Sequence, residues 1–227
     1  LGAKHIAKIQ QGDTDYWKVQ LQTALGPKET LVLRAEGPSN YNDWACELLD
    51  GMSNSLQSQK DKDYGCAFVS GGLSAGTYYL KVTMDDTTNE DYNLYANRAT
   101  GVIESEPNNK SGTANTISYA DWTSNTPVFG ENDVSSDTAD FFEFSLSSAQ
   151  GSNERLIISP EYLGPDPSTL TFELQDSSNT AITSADGSIT ASGLGAGTYY
   201  LKVTGASSTT DGQYKLTATE YSPDESF

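Results

Sequence analysis

The eleven residues LSAGTYYLKVT (73–83) return as LGAGTYYLKVT (194–204), with ten identities at an offset of 121. Gly-Thr at the start is a turn signal, and the run behind it alternates. Tyr78, Leu80 and Val82 fall on one face, with Tyr79 and Lys81 opposite. Period-two alternation of this length predicts a half-buried strand. The likeness extends in order along both halves. DYWKVQLQ (15–22) parallels DFFEFSLS (140–147), CELLD (46–50) parallels FELQD (172–176), and DYNLYA (91–96) parallels QYKLTA (213–218). Offsets drift only as loops of unequal length allow, so the pattern is an internal duplication. In DYWKVQLQ, Trp17, Val19 and Leu21 alternate with polar or outward residues. Phe142, Phe144 and Leu146 do the same in the second copy.

Short alternating strands punctuated by turns predict an all-β chain. The expected architecture is two tandem jelly-roll-like antiparallel β-sandwiches, residues 1–101 and 102–227. Each is about 100–120 residues, enough to bury its own core. The boundary is set near Gly101, where a strand gives way to the polar stretch IESEPNNKSG (103–112).

Charge narrows the partners. The chain carries 13 Lys and Arg against 31 Asp and Glu, a formal net charge of −18. Residues 1–100 hold nine basic and thirteen acidic residues, net −4. Residues 101–227 hold four and eighteen, net −14. Such a surface repels phosphate backbones, so nucleic acid is not an expected partner. Nor is membrane insertion, because no apolar run approaches the roughly 20 residues needed to span a bilayer. The chain starts at Leu1 with no signal segment behind it, which reads as a processed or excised piece.

The reactive residues are few. His5 is the only histidine, which removes the usual base of a serine or cysteine triad. Gly72-Leu73-Ser74-Ala75-Gly76 matches the nucleophile-elbow pattern, but a strand follows it and the second copy has Gly195 in place of the serine. No enzyme is therefore expected, although plentiful acids leave a hydrolase with an unrecognised carboxylate pair as an alternative. Cys46 and Cys66 are too few for a zinc site and read as one disulfide formed in an oxidising compartment. Two reduced, buried cysteines are the other reading. On the strand LSAGTYYLKVT and its copy, Tyr79 and Tyr200 face outward and are candidates for gripping an insoluble polymer.

The second half also reads Glu104-x-Glu106-Pro107-Asn108-Asn109, then Asp137-x-x-Asp140-Phe141-Phe142, then residues 194–203, then Gly212-x-Tyr214-x-Leu216. That order resembles the bacterial pre-peptidase C-terminal domain, a family that includes the collagen-binding domains of clostridial collagenases. The first half carries the later elements in part and lacks the acidic linker motif. The resemblance implies a non-catalytic β-sandwich appended to an exported bacterial hydrolase, commonly a protease, and hence a secreted, periplasmic or cell-surface location. A cell-surface adhesin fragment is the alternative in the binding class. It further implies calcium as the cofactor, held where the linker enters the second domain by Glu104, Glu106, Asn108, Asn109, Asp137 and Asp140. Calcium takes six to eight oxygen ligands, and these side chains supply oxygen only. An ordinary solvated acidic linker is the competing reading. Partners implied are the rest of the parent polypeptide and an insoluble protein or polysaccharide. The positions just beyond the repeated strand, aromatic in the collagen-binding members, hold no aromatic residue here.

Overall fold

The computed structural model describes residues 4–37, 44–62, 65–84, 90–132, 138–163, 170–205 and 212–222. It divides into two compact units, Leu1–Ile103 with Leu163–Pro167, and Glu104–Tyr162 with Ser168–Phe227. Among the described residues no helix is long and apolar enough to cross a membrane.

The first unit is built from β1 (Lys4–Ile9), β2 (Thr14–Leu21), β3 (Glu29–Glu36), β4 (Trp44–Leu49), β5 (Ser55–Lys62), β6 (Gly65–Gly71), β7 (Gly76–Met84) and β8 (Glu90–Thr100). Its sheets run β1-β8-β3-β6 and β2-β7-β4-β5. That order is the eight-stranded double-sheet jelly roll. The inward faces are the ones alternation selects: Val19, Leu21, Tyr78, Leu80 and Val82 are buried, as are Leu31, Leu33 and Tyr92 from the facing sheet.

After β9 (Val102–Ile103), the second unit runs β10 (Asn115–Thr116), α1 (Tyr119–Thr123), β11 (Val128–Asn132), β12 (Asp140–Leu146), β13 (Arg155–Tyr162), β14 (Leu170–Asp176), β15 (Ala181–Ala185), β16 (Ile189–Ser192), β17 (Gly197–Gly205) and β18 (Gly212–Tyr221). The order β11-β18-β13-β16 repeats that of the first unit, and so does β12-β17-β14-β15. Matching positions also pair alike in the two units. Tyr78 opposes Val19, and Tyr199 opposes Phe144. Local devices recur as well. The Tyr78 hydroxyl donates to the Ser74 carbonyl at 2.9 Å, and the Tyr199 hydroxyl to that of Gly195 at the same distance. Ser74 thus sits in a loop that runs into a strand, which is not the setting of a nucleophile elbow.

Two additions depart from the purely antiparallel expectation. β10 pairs with β12 in parallel, and the one-turn helix α1 plugs the core with Trp122. Ser118 caps that helix by accepting from the Asp121 N–H, and the indole N–H of Trp122 donates to the Leu216 carbonyl. The ring meets Phe144 edge-on at 5.5 Å between centroids. Helix propensity over five residues is too weak to read in advance, because packing rather than propensity holds so short a helix.

Cys46 and Cys66 form a disulfide with Cα atoms 6.2 Å apart, both buried. One lies on β4 and the other on β6, so the bridge ties the two sheets together. In the second unit the register places Phe172 at the position of Cys46, and the 121-residue sequence offset puts Gly187 at that of Cys66. Phe172 is fully buried, and the space that the bridge occupies in one copy is filled by a ring in the other.

Candidate metal centre

Three strands and a linker converge at the start of β12. Asp140, the first residue of β12, is completely buried. From the facing sheet, β18 sends Tyr214 into the same space, also fully buried. Its hydroxyl donates to Asp140 Oδ2 at 2.5 Å and lies 3.2 Å from Glu104 Oε2. Burial, then the charges of Glu104 and Asp140, push the phenol far above its ordinary range, so it remains a donor.

Glu104 reaches the site from the linker and is held by backbone on both sides. Its N–H donates to the Phe129 carbonyl at 3.0 Å, and its Oε1 accepts from the Glu131 N–H. Asn108 Nδ2 donates to Glu104 Oε2 at 3.2 Å, and the Asn108 N–H donates to Glu106 Oε2 at 3.0 Å. The Asn108 carbonyl in turn accepts from the Phe141 N–H on β12. Further along, the Asn115 side chain brackets Ser105 by accepting from its N–H and donating to its carbonyl. The acidic linker is therefore pinned at residues 104, 105 and 108, and Asn108 is 0 % exposed.

The carboxylates of Glu104, Glu106 and Asp140 offer oxygens that all lie within 4.8 Å of one another. Three like charges so close disfavour full ionisation. Burial first, with Glu106 adding repulsion, pushes Glu104 up to about 8 from an ordinary 4.5. Beside them the Oδ1 of Asn108 is buried and accepts no hydrogen bond. A buried acceptor without a donor is costly unless something electropositive meets it. Carboxylate and amide oxygens without nitrogen or sulfur form the donor set of a hard divalent cation. The residues present fit such an ion.

Gly130 on β11 closes the floor. A Cβ there would lie 2.3 Å from the Tyr214 hydroxyl oxygen and 2.7 Å from Glu104 Oε2. The first unit has Ala7 at the matching register position. Gly130→Ala is expected to destabilise the second unit by about 2 kcal/mol through overpacking, read as a lower urea midpoint at unchanged slope.

Of the six oxygen-bearing residues read from the sequence, the structure brings Glu104, Glu106, Asn108 and Asp140 together. Asn109 is partly buried next in line and is not one of the clustered carboxylates, while Asp137 lies outside the described residues. Sequence reasoning missed Tyr214 and Gly130 as parts of the site. A signal for Tyr214 exists in the repeat, since Tyr92 in the first unit donates to Asp15 Oδ2 at 2.8 Å, the same pairing one copy earlier. There, however, the Trp17 indole N–H donates to the Tyr92 oxygen where the second unit has Glu104, and Asp13 caps the Thr14 N–H. Tyr79 and Tyr200 lie on the outer sheet faces, partly exposed, one in each unit.

The raised carboxyl of Glu104 has a consequence for stability without divalent ions. A group whose folded value exceeds its unfolded one stabilises fully below the unfolded value, and that stability is lost as pH rises through the folded one. In chelator, the second unit is expected to weaken between about pH 5 and about pH 8, followed as a falling urea midpoint. A midpoint that climbed over that window would contradict the placement of Glu104.

No family model and no curated protein matches the chain. Among solved structures, it is similar to the pre-peptidase C-terminal domain of a collagenase from Bacillus anthracis. The identity is 24% over 47% of this chain and 94% of that one, with a TM-score of 0.34. It is also similar to PliG, a periplasmic inhibitor of g-type lysozyme from Aeromonas hydrophila. There the identity is 11% over 48% of this chain and 97% of that one, also with a TM-score of 0.34. Scores this low establish neither family nor activity.

Proposed function

We propose that the chain is a pair of non-catalytic modules of the pre-peptidase C-terminal type, serving an exported protein as a calcium-stiffened spacer or targeting segment. One observation carries the reading. Linker carboxylates Glu104 and Glu106 meet Asp140 of the sandwich beside the unpartnered Asn108 oxygen. A calcium ion there takes Glu104, Glu106, Asp140 and the Asn108 oxygen, with Asp137 and Asn109 as further ligands. It neutralises the crowded carboxylates and fastens the linker to the jelly roll. The order of motifs in residues 104–216 supports the family, and the Cys46–Cys66 disulfide supports an oxidising, extracytoplasmic location. Tyr79 and Tyr200 are the proposed contacts to an insoluble polymer.

Limited proteolysis of the linker tests the reading. Calcium is expected to protect residues 104–109 from cleavage, and chelator to expose them. Protection lost in Glu106→Gln would support the assignment, because Glu106 is exposed and its replacement leaves the core intact. Equal cleavage with and without calcium would overturn it.

A further inference from the structure

The duplication makes a comparison within one chain, and at one place the two copies carry opposite charge. In the first unit Arg98 on β8 opposes Leu31, and in the second Glu220 on β18 opposes Leu156. Around Arg98 the first unit wraps three acceptors. Its Nε donates to Glu29 Oε1 at 3.0 Å, Nη1 to Thr23 Oγ1 at 2.8 Å, and Nη2 to the Ala24 carbonyl at 3.0 Å. The guanidinium in turn holds the Glu29 carboxyl below its usual range.

All three acceptors persist in the second unit as Glu154, Ser148 and Ala149. The loop that carries them is nearly superimposable in its bonding. Gly26 N–H donates to Glu29 Oε2 at 2.6 Å, and Gly151 N–H donates to Glu154 Oε2 at 2.6 Å. Leu25 N–H donates to the Leu73 carbonyl at 2.8 Å, and Gln150 N–H to the Leu194 carbonyl at 2.8 Å. The arginine is missing, and Tyr119 of the added helix α1 borders its place. Where it would lie there is a cavity of about 330 Å³ lined by Ser148, Ala149, Glu154, Glu220, Tyr119 and Gln150, among others. The Tyr119 hydroxyl and Gln150 Nε2 are buried in its wall, and the hydroxyl interacts with Glu220 and Gln150, so polar groups surround the place from several sides.

We propose that this cavity of the second unit receives the guanidinium of an arginine side chain on a partner polypeptide, in the place that Arg98 fills from within in the first unit. Two carboxylates, a hydroxyl and a carbonyl match the several fixed donors of a planar guanidinium, whereas an ammonium meets only part of the set. A polypeptide is preferred to free arginine, because the free amino acid brings a carboxylate up to Glu154 and Glu220. The net −14 of residues 101–227 draws in a cationic partner.

The test uses the whole chain, isotope-labelled, titrated with N-acetyl-arginine amide and followed by NMR. Saturable shifts are expected at the backbone amides of Ser148 and Ala149 and the side-chain amide of Gln150, with none at Thr23, Ala24 or Leu25. N-acetyl-lysine amide and free arginine should bind several-fold more weakly. Glu220→Arg should abolish the shifts and raise the melting temperature of the second unit, since it restores the arrangement of the first. Glu220→Gln, which adds no guanidinium, should weaken binding without that stabilisation. Non-saturating shifts, equal shifts from calcium chloride at matched ionic strength, or undiminished binding to Glu220→Arg would each overturn the proposal. None of these outcomes depends on whether Glu104, Glu106 and Asp140 hold an ion.

Discussion

Chelation is expected to lower the melting temperature of the second unit by about 10 °C and to leave the first unit almost unmoved. An ion that binds only the folded state stabilises by about 2.7 kcal/mol when it is present at 100 times its dissociation constant. For a unit of this size, 1 kcal/mol corresponds to a few degrees. The selectivity follows from the site. Glu104, Glu106 and Asp140 all belong to the second unit, and the matching place in the first is closed by the Trp17 indole donating to Tyr92. Scanning calorimetry with and without chelator reads the effect. Glu106→Gln should mimic chelation, whereas Asp13→Ala, in the first unit, should not. Two transitions that shift together, or neither shifting, would count against a site confined to the second unit.

The opposite selectivity is expected for the disulfide. Cys46 and Cys66 are 20 residues apart and join β4 to β6 across the sandwich. Closing a loop of that length removes denatured-state entropy, and losing it should cost the first unit about 3 kcal/mol. A Cys46→Ser/Cys66→Ser chain should therefore melt early in the transition that chelator leaves alone. The second unit suggests a rescue. A Cys46→Phe/Cys66→Gly chain copies Phe172 and Gly187, and it should recover part of the loss by filling the core with a ring. Two free thiols in the unfolded, unreduced protein would remove the premise. A serine double variant as stable as the parent would remove the energetic argument.

Much of the fold is legible in the residues because the duplication presents each strand twice. LSAGTYYLKVT and its copy both become central strands, and their alternating faces are buried as periodicity requires. The pairing of Cys46 with Cys66 is legible because the chain has only two cysteines. The carboxylate cluster is half legible. Glu104, Glu106, Asn108 and Asp140 stand out as oxygen donors near a strand start, but Tyr214 reads as one more core residue in GQYKLTATEY. Its role depends on a cross-sheet distance that no strand pattern encodes. Gly130 is similarly silent, since the reason for glycine is a phenol and a carboxylate from two remote segments. The exchange of Arg98 for Glu220 is invisible until register equates the two positions, because both are ordinary polar residues near the end of a strand.

Titration calorimetry of calcium into chelator-stripped protein tests the central claim most directly. The account predicts saturable binding at a single site per chain, with proton release. At neutral pH the Glu104 carboxyl, raised to about 8, must give up its proton to serve as a ligand. The observed heat should therefore change with the ionisation enthalpy of the buffer, and both binding and buffer dependence should fall away in Glu106→Gln. No heat of binding, or the same isotherm in parent and Glu106→Gln, would contradict a calcium ion at the convergence of Glu104, Glu106 and Asp140.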